Sequence, residues 1–469
     1  MKEFQRDLTQ GSVARHLILF SLPFLAANFL QALYNMADMF FVGQFNGAVG
    51  ASAVGVGGQV TILATNLISG LAVGGTVLIA QLIGAGLQEK LSQTIGSIFT
   101  LYGGASVVLT ALMLIINPHL LRLLVSTPEV YAETLKYVNI CTVGYLFIFG
   151  YNAVSAVLRG MGDSRHPLLF VGIAAVMNIV LDAIFCGPLD MGAAGAAWAT
   201  ILSQGVSFIL SVLFLRRSNF VFDFHPRSFR IDRELAGKLI KIGLPTSLQG
   251  TLVTLSFMTL TGIADSIAGV VGNTALSVTG KVNSVAILPA LAMQAAVSSM
   301  AGQNLGARKP ERALRTTLTA IGITFGITAL MFVLVQSFAE PVVHFFIGTD
   351  VTGTLSAEQA LRCVKESAGY IRSISWDYLL VAVVFNVGGL AMAAGQTRFS
   401  MATGLVSSLA VRIPVAWLLG KTLGFGLRGM GFAAPIATAV ALLIDVVYLA
   451  VGAWRKGKIV QNPIIVETV

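Results

Sequence analysis

Charge is scarce in this chain. Asp, Glu, Lys and Arg make up 11% of its 469 residues, whereas a soluble domain carries about 25%. That shortage excludes an ordinary water-soluble globule. Cysteine is scarcer still: Cys141, Cys186 and Cys363 are scattered, two of them inside apolar runs, and imply neither a disulfide framework nor a metal site. The five histidines, His16, His119, His166, His225 and His344, fall at expected helix ends or loops, and none pairs with a cysteine at ligand spacing. An intramembrane enzyme would need a cluster of nucleophile, base or metal ligands. The chain therefore reads as a non-enzyme that needs no cofactor beyond a transported ion. A cleavable signal peptide is also missing, because MKEFQRDLTQGSVAR leads into a run too long for a signal's apolar core.

What is there is apolar surface. Hydrophobic residues make up 55% of the chain, and the mean hydropathy is +0.82. The 49 glycines would weaken soluble helices but let helix backbones approach closely in lipid. A window of about 19 residues places spans near 16–42, 50–76, 94–117, 132–158, 167–188, 192–215, 238–265, 272–300, 315–340, 367–394, 399–424 and 428–454. The fold class is an all-α integral membrane protein of twelve transmembrane helices. Lys and Arg sort by side: the N-terminus, the even-numbered loops and the tail hold 21, and the odd-numbered loops hold 7. By the positive-inside rule both termini are cytoplasmic, in a multi-pass protein of the plasma membrane. The net charge of +9 is thus topological, and nucleic acid is not an expected partner. Membrane lipids are, and a monomer is the expected unit.

Two halves repeat. SLPFL at Ser21 faces GLPTS at Gly243, SAVGVGGQV at Ser52 faces TALSVTGKV at Thr274, and AQLIGA at Ala80 faces GQNLGA at Gly302, all at an offset of 222 residues. Tyr137 faces Tyr370, and GDSR at Gly162 faces GQTR at Gly395, at an offset of 233. The second copy thus has 11 extra residues, expected in the outer loop around 349–365, where Ser356 to Ala368 has the spacing of a short helix. The expected organisation is a first lobe over 1–215, a linker over 216–237, a second lobe over 238–454 and a tail over 455–469. An even number of helices per copy makes the repeat parallel, an architecture of secondary transporters with the substrate between the copies.

The chain is organised around HLILFSLPFLAANFLQALYNMADMFFV, residues 16–42, which places one acid, Asp38, deep in an apolar helix. Such an acid marks ion or proton traffic by default. Gln31, Tyr34 and Asn35 share its helical face. In the fifth span MNIVLDAIF sets Asn178 and Asp182 four apart, on one face. Thr200, in GAAWATILSQ of the sixth, adds a hydroxyl. Two carboxylates, an amide and a hydroxyl suit a hard cation such as Na+, and two neighbouring acids also suit one shared H+. Leu260 and Val415 stand where the second copy would repeat Asp38 and Asp182, so the ion chemistry belongs to the first lobe.

LYNMADMFFVGQFNG from Leu33, LRGMGDSRHP from Leu158, MNIVLD from Met177 and GAAGAAWAT from Gly192 resemble the multidrug and toxic compound extrusion (MATE) family over essentially all twelve helices. The resemblance implies two V-arranged lobes that rock between outward-open and inward-open states and export organic compounds against an inward flow of Na+ or H+. It also implies a cation site at Asp38, Asn178, Asp182 and Thr200, with Tyr34 beside it and Pro23 at a bend in the first helix. One branch of the family carries acids in helices seven and ten, where this chain has Gln249 and, one turn away from the matching level, Asp377.

Further cavity candidates are Gln31 and Asn152 in the first lobe and Lys281 and Arg412 in the second. The last two sit about ten and thirteen residues into their helices, near mid-membrane. They either pair with Asp377 in a structural network or face the substrate. A flippase for lipid-linked saccharides, related in architecture, is the alternative function.

Overall fold

The computed structural model describes residues 5–125, 127–218, 220–350 and 357–456, with backbone alone for 347–350, 357–360 and 456. Most of the tail over 455–469, and part of the outer-loop insertion expected at 349–365, Ser356 included, lie outside the described residues. The helical spacing seen from Ser356 to Ala368 opens a helix that runs Ala357–Ile374.

Among the described residues nine helices are long and apolar enough to cross a membrane: Val13–Gly84, Gln88–Leu124, Arg165–Cys186, Gly192–Arg217, Arg233–Ala268, Val270–Gly306, Pro310–Phe346, Thr397–Thr422 and Gly426–Val451. Two further spans are bent pairs, Pro128–Val143 with Tyr145–Gly160 at 47° and Leu361–Ile374 with Asp377–Ala393 at 42°. The first helix counts twice. Its 72 residues would extend about 108 Å, against a hydrocarbon layer of about 30 Å. The chain turns back at Gly47, whose φ of 64° and ψ of −158° a residue without Cβ adopts freely. Twelve spans result, as the hydropathy reading expected.

Local sequence accounts for the helix ends. Asp232 accepts from the Leu235 amide at 3.0 Å and caps the seventh span, while Gly452, at φ 68°, closes the last one in the left-handed conformation. In GDSR, Asp163 accepts from the amides of Arg165 and His166 at 2.9 and 3.3 Å and pairs its other oxygen with His166 Nδ1. That motif anchors the start of the fifth span. The linker is clamped to the first lobe. Phe222, Phe224 and Phe229 surround Phe99, with centroids 5.8–6.0 Å from its ring. Ser97 Oγ donates to the Arg230 carbonyl at 3.3 Å and accepts from the Asp232 amide at 3.0 Å. The third span turns Val107, Val108 and Ile115 outward, each more than 60% exposed, as lipid contact requires.

Each half has its own core, around Tyr102, Tyr145 and Phe149 in the first and around Leu260, Tyr370 and Met430 in the second. A third cluster joins them. Leu8, Leu17 and Phe20 pack with Met293, Met300 and Trp454, so both described ends of the chain lie on one face, here called the terminal face. Glycine makes the lobes meet there: a Cβ on Gly84 would stand 1.9 Å from the Gln303 carbonyl oxygen, and one on Gly306 would stand 2.2 Å from that of Gln81. Leu8 N donates to Gln303 Oε1 at 3.0 Å, Gln303 Nε2 to the Gly160 carbonyl at 3.3 Å, and Gln81 Nε2 to the Ala393 carbonyl at 2.6 Å. Among the described residues, cross-lobe hydrogen bonds reach no farther from that face than Asn66 Nδ2 to Thr254 Oγ1, 3.2 Å. The lobes are therefore sealed on the terminal face and part toward the opposite one.

Candidate ion and substrate sites

The first, fifth and sixth spans bring four of the expected residues together. Asp38, Asn178 and Asp182 are 4%, 1% and 0% exposed. Thr200 Oγ1 donates to Asp38 Oδ2 at 3.2 Å, and Asn178 Nδ2 donates to Thr200 Oγ1 at 3.4 Å. The Asp182 carboxyl is in direct electrostatic contact with that of Asp38. Four buried oxygens have no hydrogen-bond partner: Asp38 Oδ1, Asn178 Oδ1 and both carboxyl oxygens of Asp182. Buried polar atoms are rarely left so, and two facing carboxylates cannot both stay charged cheaply. The all-oxygen set fits a hard monovalent cation, and it fits one proton shared between the acids equally well.

Between the lobes lies a cavity of about 900 Å³. Gln31, Tyr34, Asn152, Arg159 and Gln204 line its first-lobe wall, and Gln249, Asp377, Arg412 and Asp445 line the second. Asp38, Asn178, Asp182 and Thr200 do not line it. They sit behind Tyr34, whose hydroxyl accepts from Gln204 Nε2 at 3.3 Å. Gln204 went unnoticed in the sequence, though it follows Thr200 by four residues in ATILSQ and so shares its face. Asn152 commits its amide nitrogen to the Ile148 carbonyl at 2.8 Å, which leaves its oxygen for the cavity. Asn35 is exposed and is not among the lining residues.

Arg412 lines the cavity, as expected. Its guanidinium lies 5.5 Å from the Phe257 ring centroid, and its charge acts on Asp377, another lining residue. The structural and cavity-facing readings of this pair thus coincide. Arg412 ends a π-helical stretch, Val406–Arg412, of the kind often found at functional sites.

Lys281 is a correction. It is exposed, is not among the lining residues, and places Nζ 5.4 Å from the Phe346 ring centroid. The reason is length: the eighth span has 37 residues, about 55 Å of helix, so the eleventh or twelfth residue from its end is short of mid-membrane. Pro23 lies inside the first span, which keeps helical dihedrals through it, and the non-helical residue within Val13–Gly84 is Gly47.

Two charged lining residues were missed altogether. Asp445 is 2% exposed, in ALLIDVVYLA of the last span; an acid inside an apolar run is the same signal that singled out Asp38. Arg159 was assigned to a loop, but the fourth span runs to Gly160 and its last turn projects the guanidinium to 5.5 Å from the Phe24 ring centroid.

Twelve spans in two lobes around a shared cavity, with a buried polar cluster inside one lobe, define a membrane transporter of the parallel-repeat type. The family model for MatE matches residues 23–184 and 245–418, one segment in each half, and the chain belongs to that family. It is 31% identical over 465 residues to the probable multidrug resistance protein YpnP of Bacillus subtilis, covering 97% of this chain and 98% of that one. It is 25% identical over 460 residues to the probable multidrug resistance protein NorM of Thermotoga maritima, covering 95% and 94%. Among solved structures it resembles a MOP superfamily transporter from Pyrococcus furiosus, with a TM-score of 0.89 at 25% identity over 96% of this chain and 98% of that one. An outward-facing multidrug resistance MATE transporter superposes with a TM-score of 0.88 at the same identity and coverage.

Proposed function

We propose that the protein is a cation-coupled antiporter that exports organic compounds from the cytoplasm by alternating access, with Na+ or H+ entering at Asp38, Asn178, Asp182 and Thr200. The observation that carries this reading is the set of four partnerless buried oxygens in one lobe, set behind a cavity that is sealed on the terminal face. The excess of Lys and Arg that the sequence assigns to the N-terminus, the even-numbered loops and the tail, 21 against 7, supports placing the terminal face in the cytoplasm of a plasma-membrane protein. The described conformation is then outward-open, the state from which cargo leaves. The multidrug resistance names of the relatives support a small organic cargo.

In this reading Asp38 and Asp182 relinquish their mutual repulsion when a cation is present, and the first span, which carries Asp38 and Tyr34, shifts toward the fifth and sixth. The first-lobe wall of the cavity closes and cargo is displaced outward. The test is efflux from proteoliposomes under separately imposed Na+ and pH gradients, with Asp38→Asn and Asp182→Asn alongside. Gradient-driven efflux lost in both variants is expected. Export at the parent's rate by both would overturn the coupling site, and gradient-independent transfer of a lipid-linked saccharide between leaflets would favour the flippase reading.

A further inference from the structure

The seal on the terminal face is a matched pair. Gln81 and Gln303 stand at the repeat's offset of 222 residues, as do Gly84 and Gly306. Each glutamine donates to a carbonyl of the other lobe, Ala393 and Gly160 respectively, and these acceptors stand at the later offset of 233. The segments that lead into the two lobes also cross over. Arg230 and Asp232, before the seventh span, are held by Ser97 of the first lobe, and residues 8–11, before the first span, are held by the second lobe. The former belongs to the linker that joins the lobes covalently. The latter spans the seam by non-covalent contacts.

That segment is fixed at both ends to its own lobe. Arg6 N donates to the Met161 carbonyl at 3.0 Å, and Ser12 Oγ accepts from the Arg15 amide at 3.5 Å to cap the first span. Between these anchors it lies on the second lobe. Leu8 N donates to Gln303 Oε1 at 3.0 Å, and the Leu8 carbonyl accepts from Asn304 Nδ2 at 3.3 Å. Lys309 Nζ donates to the Thr9 carbonyl at 3.2 Å, and Arg312 Nη2 donates to the carbonyls of Gln10 and Gly11 at 2.7 and 2.9 Å. The bonds from Lys309 and Arg312 are charge-assisted. The Leu8 side chain, 3% exposed, packs in one cluster with Met293 and Met300. Every one of these bonds uses a main-chain group of the segment, so the second lobe grips its path rather than its polar side chains. So short a stretch between two fixed ends has little slack, and the lobes cannot part beneath it while its middle is held.

We propose that residues 6–11 form a strap that latches the outward-open state, and that it lifts off Gln303, Lys309 and Arg312 before the terminal face opens. The inference rests on the alternating-access reading and adds the step that releases the seal. The strap runs straight into the helix that carries Tyr34 and Asp38. Val13 to Asp38 keeps helical dihedrals throughout, about 38 Å of helix, so a shift of the first span at the ion site also moves the strap's anchor.

The test reads Ser298→Cys, a 5% exposed position in the cavity wall, with a membrane-impermeant maleimide. Inverted membrane vesicles present the cytoplasmic surface to the label, and neither cargo nor a gradient is needed. Leu8→Ala with Arg312→Gln, which loosens the second lobe's grip, is expected to quicken labelling roughly tenfold over the same cysteine in the parent. Gln10→Ala changes an exposed side chain and keeps the carbonyl that Arg312 holds, so it should leave the rate alone. The converse test fastens the strap. Thr9→Cys and Lys309→Cys, joined by a short bis-methanethiosulfonate before the label is added, should slow labelling several-fold. Reduction with dithiothreitol, washed out before labelling, should bring it back. A rate unchanged by the double variant, or as fast with the cross-link closed as after its reduction, would overturn the strap. A parent cysteine that labels at once would instead overturn the cytoplasmic placement of the terminal face, and its high starting rate tells that failure apart. Because no flux is measured, failure of the ion site is read separately, by the gradient experiment.

Discussion

Gln204 Nε2 donates to Tyr34 Oη across 3.3 Å, and this bond lies in the wall between two compartments. Both residues line the central cavity. Asp38 follows Tyr34 by four residues and Thr200 precedes Gln204 by four, so each helix turn carries one residue of the wall and one of the acid cluster behind it. The proposed antiport demands such a wall, since an ion that passed freely into the cavity would cross without cargo.

Removing the ring should therefore open a leak. Tyr34→Ala is expected to let Na+ or H+ run down its gradient in proteoliposomes without any substrate, while Tyr34→Phe, which keeps the ring and loses only the hydroxyl, should stay nearly tight. A pH-sensitive or Na+-sensitive dye trapped in the lumen reads the difference. Equal tightness of Tyr34→Ala and the parent would mean the wall lies elsewhere.

The partnerless oxygens of the acid cluster make a prediction about stability. Facing buried carboxylates repel and are desolvated, so a bound cation or proton should stabilise the fold by mass action. The parent's melting temperature in detergent should rise when Na+ is added at alkaline pH, when pH is lowered, or both. Asp182→Asn should melt higher than the parent in the absence of Na+ at alkaline pH and respond far less to either change. A variant that responds as the parent does would place the relieved charge outside this cluster.

Much of this was legible in the sequence, and the misses have physical causes. Twelve spans follow from hydropathy because a bilayer demands long apolar runs. The shared face of Asn178 and Asp182 followed from i, i+4 spacing, and an intramembrane acid such as Asp38 needs a partner. Depth was harder to read. Lys281 was placed by counting from a helix end, and the eighth span is longer than the bilayer is thick. Arg159 looked like a loop residue because hydropathy windows end a helix at its first charge, whereas the helix itself runs one residue further, to Gly160. The contact between lobes could not be read at all: Gln303 and Gly84 are 219 residues apart, and nothing local marks their meeting.

Gln303 spans the seam between the lobes, accepting from the Leu8 amide and donating to the Gly160 carbonyl. Gln303→Ala removes both bonds, and a buried hydrogen bond left unmade costs about 1–3 kcal/mol. The terminal face should open more often. The readout is maleimide labelling from that face of Ser298→Cys, at a cavity-lining, 5% exposed position, with the native cysteines all buried. Labelling is expected to quicken several-fold over the same cysteine in the parent. An unchanged rate would show that Gln303 does not hold the seal.

Glycine at the seam should be harder to replace than glycine elsewhere in the same bundle. A Cβ on Gly84 would meet the Gln303 carbonyl oxygen at 1.9 Å, and a backbone atom cannot rotate away as a side-chain tip can. Gly84→Ala must push the second and eighth spans apart, at a cost of about 1–3 kcal/mol for such overpacking. Gly103 of the third span has nothing within 4 Å of its would-be Cβ, so Gly103→Ala adds a methyl group to open space and serves as the control. Gly84→Ala should therefore raise Ser298→Cys labelling from the terminal face and slow gradient-driven efflux, because the sealed outward-open state becomes the disfavoured one. Gly103→Ala should change neither. If both alanines leave labelling and efflux at the parent's values, close backbone contact at Gly84 is not what seals the lobes, and the seal must rest on the side-chain hydrogen bonds instead.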